Sequence, residues 1–360
     1  DLDLKDVRLE LPYKPESASY ILGAGHPGGL RPKEFKWDWS GPFNSFWLGS
    51  ASAGLHCKLL GGSYTGPMLN LYHPAPPTSW GNGGKGGVTV TEQADAVIAT
   101  AFSGPRKLKA GEPVTFEFSL LVTPVKPLGP VSHFKTRYFH GNNNLLKDGR
   151  GNDPEPPADA IALGVNVVNL HHASIYNPYI NYPFIRNREL ADFTAGMHAK
   201  NIKVKVYNTI RELTSMVTEL WALRSLGDEV IANGGGGGYA WCQEHLITGY
   251  QPAWFQRFGD SPPDAALVTS GDSRWQNYYI EGIGWLARNV GIDGLYLDDV
   301  SYDRHILQRV RTVMAEAKPG CMIDLHSNTA FSVGSANHYM EFMPYIDRPW
   351  FGEGYDYHAM

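Results

Sequence analysis

Cysteine is scarce in this sequence: Cys57, Cys242 and Cys321 are the three in 360 residues. Their spacing matches no metal-binding signature, and an odd count allows at most one disulfide, so buried free thiols are expected. No run of about 18 or more apolar residues occurs, which excludes a bilayer-spanning helix. No basic segment followed by a short apolar stretch precedes Asp1, although a mature secreted chain whose leader has been removed looks the same. Basic charge is not in excess either. Lys and Arg number 31 against 36 Asp and Glu, for a net charge of −5. A phosphate-backbone partner calls for a basic stripe that this balance lacks, so no nucleic-acid partner is expected.

Helical periodicity is the next absence, and it is confined to the region before Val125. There "VTVTEQADAVIATAFSG" and "PVTFEFSLLVTPV" alternate apolar and polar residues, the pattern of half-buried antiparallel strands, with Gly and Pro at the turns. A β-sandwich is the simplest fold for this pattern. The stiff "PVKPLGP" run, Pro124 to Pro130, cannot join a hydrogen-bonded ladder and marks a boundary. The expected domains are therefore 1–128, the sandwich, and 129–360, which follows different rules.

In the second region short β-rich runs alternate with helical patterns. The runs are Phe134–His140, Val165–His172, Ile202–Thr209, Gly294–Asp299, Cys321–Asn328 and Arg348–Glu353, with a further one at Ala265–Ser270. Tyr279, Ile283, Leu286 and Val290 share one helical face, and Ile306, Val310, Val313 and Met314 share another that stops at Pro319-Gly320. Repeated β-then-α units predict a parallel sheet closed as a (β/α)8 TIM-type barrel, which makes the chain a two-domain α+β protein. Eight strands are not all found, so the barrel is expected to be incomplete at the C-terminus, with an open sheet as the structural alternative. One long loop is expected from Ile210 to Trp275. Its five glycines, Gly234–Gly238, have no leading strand and no following Lys-Ser/Thr, which removes the phosphate-loop reading and leaves a hinge beside a binding site, with plain disorder as the alternative.

In a parallel barrel the C-terminal strand ends open onto one mouth. The polar residues there are His140; His171 and His172; Asn208 and Arg211; Asp298 and Asp299; Asp324, His326 and Asn328; and Glu353. Side chains alternate along a strand, so only one of the adjacent aspartates can point into the mouth. Asp298 is the expected one, with Asp299 binding substrate or orienting a neighbour; the alternative is that both cap the helix near Tyr302. Glycoside hydrolysis needs two carboxyl groups, one to protonate the leaving oxygen and one to attack or activate water. Asp298 is read as nucleophile or base and Glu353 in "WFGEGYDY" as general acid, since its aromatic neighbours would raise its pKa. Asp324 and Glu244 are rivals for that role. Asp299, Trp241, Glu244, His171, His172, Arg211, Asp324, His326 and Trp350 are expected to contact substrate. The 10 Trp and 19 Tyr serve a core first; Trp241, Trp254, Trp275 and Trp350 flank the strand ends, where rings can stack on apolar sugar faces.

The segments "FWLGSASAGL", "FSLLVTPVKPL", "ELWALRSLGDEV", "WCQEHL", "VTSGDSRWQNYYIEGIGWLARNVGIDGLYLDDVSYDR", "IDLHSN" and "YIDRPWFGEGYDY" resemble, in this order, bacterial and environmental proteins with a glycoside hydrolase family 123-like N-terminal domain. The resemblance covers nearly the whole chain. It implies a β-sandwich followed by a catalytic-type barrel, in secreted polysaccharide-degrading proteins that continue past the "GEGYDY" segment. Family 123 enzymes of known activity are β-N-acetylgalactosaminidases with an Asp-Glu pair assisted by the substrate's acetamido group, where this sequence offers Asp298-Asp299. "DGLYLDD" is also similar to the nucleophile strand of family 31 glycosidases, and that likeness puts the nucleophile on Asp298.

The expectation is thus a secreted or periplasmic glycosidase with a carbohydrate substrate and no cofactor or metal, of undetermined oligomeric state. Two alternatives stand beside it. A metal-dependent hydrolase or deacetylase would use His171, His172, His326 and Asp298, but barrel amidohydrolases want His-x-His on the first strand and "YFHGN" offers only His140. A non-catalytic carbohydrate-binding or assembly protein would hold sugar without cleaving it.

Overall fold

The computed structural model describes residues 1–41, 43–61, 77–140, 154–209, 212–231, 255–256, 264–268, 274–298, 304–327 and 339–351. The chain divides into two compact units, Asp1–Leu128 with Ser327–Pro344, and Gly129–His326 with Tyr345–Trp350. Ser327–Pro344 thus groups with the first unit.

The first unit is rich in sheet. Its strands are β1 (Leu2–Leu4), β2 (Arg8–Tyr13), β3 (Tyr20–Gly23), β4 (Glu34–Asp38), β5 (Ser45–Gly49), β6 (Gly54–Leu60), β7 (Gly87–Glu92), β8 (Val97–Phe102), β9 (Arg106–Leu108) and β10 (Glu117–Thr123). Two four-stranded sheets form, in the orders β10-β6-β5-β3 and β2-β8-β7-β4, with β1 and β9 paired separately. All of these pairings are antiparallel. The period-2 pattern explains which residues go inside: Leu9, Leu11 and Tyr13 pack on the core while Arg8, Glu10 and Pro12 face water. Ile21, Phe46, Leu48, Cys57 and Leu59 of one sheet share a single core with Trp37, Val88, Val90, Val97 and Ala99 of the other. On the reverse face of the first sheet Lys58 pairs with Glu341 at 2.6 Å, both nearly buried, and ties the Tyr339–Pro344 stretch to β6. Cys57 and Cys321 are buried free thiols; Cys242 lies outside the described residues.

The second unit contains β11 (Tyr138–His140), β12 (Val167–Leu170), β13 (Lys203–Asn208), β14 (Glu212–Thr214), β15 (Phe255–Gln256), β16 (Asp264–Val268), β17 (Gly294–Asp298), β18 (Met322–Ser327) and β19 (Arg348–Phe351). Six of them make one sheet in the order β11-β12-β13-β17-β18-β19, and the pairings from β11 to β18 are parallel. Helices Asn187–Ala199, Trp275–Trp285 and Arg304–Ala317 supply crossovers. One sheet face is largely apolar: Val168, Leu170, Val204, Val206, Leu295, Leu297, Ile323 and Leu325 are buried there.

The sheet is strongly curled. Strands lie ~4.8 Å apart, so a flat six-stranded sheet would hold its edges roughly 24 Å apart. Instead, Tyr138 on β11 and Trp350 on β19 touch edge to face with centroids 5.2 Å apart. Arg348 stands over the Tyr138 ring at 4.4 Å and donates to the His133 carbonyl at 2.9 Å. The two edges therefore bend towards each other around the concave face, as in half of a barrel. Six parallel-sheet strands are described, not eight.

Several expectations shift. Phe134 belongs to a short helix, Pro130–Lys135, not to the first strand, and its ring is 83 % exposed; proline at a first helical position favours that turn. The Arg304–Ala317 helix buries Leu307 with Ile306, Val310 and Met314, while Val313 sits at the margin. The Ala265–Ser270 run contributes β16, which pairs antiparallel with β14 and β15 outside the parallel sheet. The expected loop from Ile210 to Trp275 thus holds a small sheet and a helix, Leu220–Arg224. Strands of two to five residues are too short to show a period. Gly234–Gly238 lie outside the described residues.

Candidate active site

In-register parallel pairing stacks same-face residues in rows across the concave side. His140, Asn169, Lys205 and Gly294 are successive partners on β11, β12, β13 and β17. One row higher Tyr207, Tyr296 and Asp324 align, and above them Asp298 pairs with His326. Because Tyr296 and Asp298 are two residues apart, they project from the same face. β17 is buried until its last residue, where the Asp298 side chain is 27 % exposed. A hydrophobic strand therefore ends by delivering one carboxylate to the rim of the concave face.

That carboxylate is held on both sides. The Tyr207 hydroxyl donates to Oδ2 at 2.6 Å, and His326 Nδ1 lies 3.1 Å from Oδ1. Each oxygen keeps lone-pair capacity for a further donor. Burial pushes the Asp298 carboxyl up, but hydrogen bonds from His326 and Tyr207 outweigh it and hold the group below the ordinary aspartate value. An aspartate in that state is ionised at neutral pH. It can attack carbon or accept a proton, and it cannot serve as a proton donor.

Uncharged rings surround it. The His171 ring lies 4.0 Å from Tyr207 and 4.4 Å from His172, and His140 lies 4.8 Å from Tyr296. Burial, reinforced by the nearby His140, pushes His171 down to about 4. Burial drives His172 well below its ordinary value too. His171 Nδ1 stands 3.2 Å from the His172 carbonyl. A carbonyl only accepts, so Nδ1 carries the hydrogen and Nε2 is left as an acceptor.

A second polar layer lies beneath. Lys205 and Asp324 form an ion pair with both side chains fully buried. Asp324 Oδ2 also accepts from Trp350 Nε1 at 2.9 Å, and the Lys205 ammonium sits 4.6 Å from the Tyr138 ring centre. Burial lowers the Lys205 ammonium to about 8 despite the Asp324 carboxylate. The pair spans β17 because Gly294 lies between the two: a Cβ there would approach Lys205 Cδ to 3.1 Å and the Met322 carbonyl to 1.9 Å. Asp324, expected at the rim, is thus a row below it, and Trp350 forms inner wall between Tyr138 and Tyr296.

Of the residues singled out from sequence, Asp298, His326, His171, His172 and His140 come together. Asp299, Glu353, Trp241, Glu244, Arg211, Trp254 and Asn328 lie outside the described residues. Asn208 closes β13 and is buried. Trp275, considered as a sugar platform, is 2 % exposed and opens the helix before β17, so it is core. Among the described residues no three His, Cys, Asp or Glu side chains stand close enough to hold a metal ion, and no helix is long and apolar enough to cross a membrane. Tyr207, Tyr296 and Lys205 were not singled out. The strict alternation in "IKVKVYN" placed Lys205 and Tyr207 on one face, but no local feature says which face is concave.

Comparison with known proteins bears on this arrangement. Residues 130–360 match the model of the glycoside hydrolase 123 TIM-barrel domain, and residues 1–124 match that of the glycoside hydrolase 123 third domain. No curated protein matches the chain. Among solved structures, the Nostoc punctiforme debranching enzyme soaked with acarbose is 16 % identical over 47 % of this chain, at a TM-score of 0.33. This chain covers 38 % of that enzyme's length. The Geobacillus thermoleovorans α-amylase complexed with acarbose is 13 % identical over 54 % of this chain and 47 % of its own, at 0.35. The Thermus thermophilus α-galactosidase in complex with stachyose is 12 % identical over 90 % of this chain and 68 % of its own, at 0.32. All three overlaps are loose.

Proposed function

Since this chain belongs to glycoside hydrolase family 123, we propose that it hydrolyses glycosidic bonds in a polysaccharide or oligosaccharide, at the C-terminal ends of the parallel strands. The observation that carries this reading is the ionised Asp298 carboxylate, held by Tyr207 and His326 at the rim of a concave face lined with aromatic rings. In this scheme Asp298 attacks the anomeric carbon or takes a proton from the attacking water. Glu353 donates a proton to the glycosidic oxygen as its bond to that carbon breaks. Tyr207 and His326 keep Asp298 charged and aimed. His171 and Trp350 offer ring surface to the sugar, His172 is buried behind His171 and Tyr207, and Asp299, Trp241, Glu244 and Arg211 complete its binding.

The same reading takes the first unit as a β-sandwich and the second as a (β/α)8 barrel. The domains run over 1–128 and 129–360, and the protein works in a secreted or periplasmic setting where polymeric glycans are met. Turnover of aryl glycosides and natural glycans by the wild type, Asp298→Asn and Glu353→Gln tests it. Asp298→Asn should lose at least about 10³-fold in kcat with an unchanged melting temperature. Glu353→Gln should keep activity on glycosides with an activated leaving group and lose it on natural linkages. Full activity in Asp298→Asn refutes the assignment.

A further inference from the structure

The sheet-rich unit leaves one sheet edge bare. β10 is the last strand of its sheet: it pairs with β6 and, among the described residues, with no strand on its other side. The direction of its free backbone groups follows from the neighbouring strands. Leu59 N–H donates at 2.7 Å to the carbonyl of Asn44, the residue before β5, so Leu59, Cys57 and Leu55 bond towards β5. Backbone groups alternate sides along a strand, so His56 and Lys58 bond towards β10, where Leu121 and Ser119 are their partners. Phe118, Leu120 and Val122 therefore turn N–H and C=O outward, and none of the described residues bonds them there.

The same three residues carry apolar side chains. Opposite residues in an antiparallel pair share a face, so Phe118 and Leu120 lie on the core face with Leu59 and Cys57. Yet Phe118, Leu120 and Val122 are 47 %, 43 % and 71 % exposed. The apolar face thus continues onto β10 and meets solvent there. The other edges of the two four-stranded sheets are guarded. Beside β3 the chain folds back, with Ile21 N–H donating to the Gly29 carbonyl and Gly23 N–H to the His26 carbonyl. β4 shows Glu34, Lys36 and Asp38 to solvent, and β2 shows Arg8, Glu10 and Pro12. Charged side chains and proline keep a strand edge from pairing with another chain. From Phe118 to Thr123, β10 has neither.

We infer that β10 is a dimerisation strand, which pairs antiparallel with β10 of a second copy about a two-fold axis at Leu120. In that register Leu120 faces the partner's Leu120, and Phe118 faces the partner's Val122. Every residue with outward backbone groups then meets another of the same kind, so the ladder is satisfied on both sides. Each Glu117 stands across from the partner's Thr123, so like charges are never opposed. Pro124 has no N–H and ends the ladder. Two-fold pairing uses this edge in both copies, so assembly closes at a dimer and does not grow into a fibre. A strand from a different protein would not call for apolar residues placed evenly about Leu120. The inference does not rest on the proposed activity.

Sedimentation velocity of the full chain tests it. At roughly 50 µM the wild type should run as a dimer. Leu120→Lys and Leu120→Glu each set two like charges against one another on the axis, and each should weaken dimerisation about a hundredfold or more. Mixed in equal amounts, the two variants should form a heterodimer, since the lysine of one then faces the glutamate of the other. Val122→Lys, at the most exposed of the three positions, should also give a monomer, and it carries the test if an axial variant misfolds. A wild type that stays monomeric overturns the inference and leaves the edge to a different partner. So does a dimer that survives all three substitutions. A mixture that stays monomeric, although both variants keep the wild-type circular dichroism, overturns the two-fold register at Leu120.

Discussion

The Tyr207 hydroxyl meets Asp298 Oδ2 at 2.6 Å although 91 residues separate them in the chain. β13 and β17 are adjacent parallel strands whose register puts Tyr207 level with Tyr296, one row below the carboxylate it contacts. A hydrogen bond to a carboxylate stabilises its charged form. Tyr207→Phe removes that donor and lets burial raise Asp298. The acid limb of kcat/KM should therefore move to higher pH, because the reaction needs the deprotonated group. Losing one charge-assisted bond, worth about 1.5–3 kcal/mol, should lower activity roughly tenfold or more at neutral pH. A pH–rate profile that keeps its acid limb in the variant would separate Tyr207 from the charge state of Asp298.

The buried histidines make the fold sensitive to acid. His171 titrates at about 4 in the folded chain, against ~6.5 in the unfolded one. As pH falls through that window the unfolded chain takes a proton that the folded one refuses, so stability declines from about pH 6.5 towards pH 4. His172 acts in the same direction. Melting temperature measured between pH 7 and pH 4.5 should fall, and His171→Asn should flatten the fall. Parallel curves for variant and wild type would contradict this.

Lys205 and Asp324 should tolerate joint replacement better than single replacement. Lys205→Met leaves the fully buried Asp324 carboxylate without its cation, a loss of about 3–5 kcal/mol. Lys205→Met with Asp324→Leu removes both charges and should cost much less by urea denaturation. Burial sets the Lys205 ammonium at about 8, below the ~10.4 of an unfolded lysine. Between those values the unfolded chain binds more protons, so the contribution of Lys205 to stability rises with pH. The stability difference between wild type and the joint variant should therefore move in favour of the wild type from pH 8 to pH 10.

Gly54→Ala places a methyl group 2.3 Å from the Trp47 ring. Overpacking of this kind costs about 1–3 kcal/mol. Denaturant unfolding should show that loss, with tryptophan emission shifted as the indole leaves the sheet. An unperturbed variant would mean that the ring has another resting place.

Local pattern alone carried much of this protein. Alternation in "VTVTE" and "VIATAF" specified antiparallel strands, because a strand half in water must show its polarity every second residue. β17 and the helices beside it were equally legible. What alternation cannot say is which of two faces becomes concave. Lys205, Tyr207 and Tyr296 looked like ordinary strand residues, and Asp324 looked like a rim acid. Curling the sheet until Tyr138 meets Trp350 turned one face inward, and that placed Asp324 a row below the rim and Tyr207 against the carboxylate. A short-range signal cannot encode this, since the contacts join residues from five strands and their energy exists only once the strands have closed on one another.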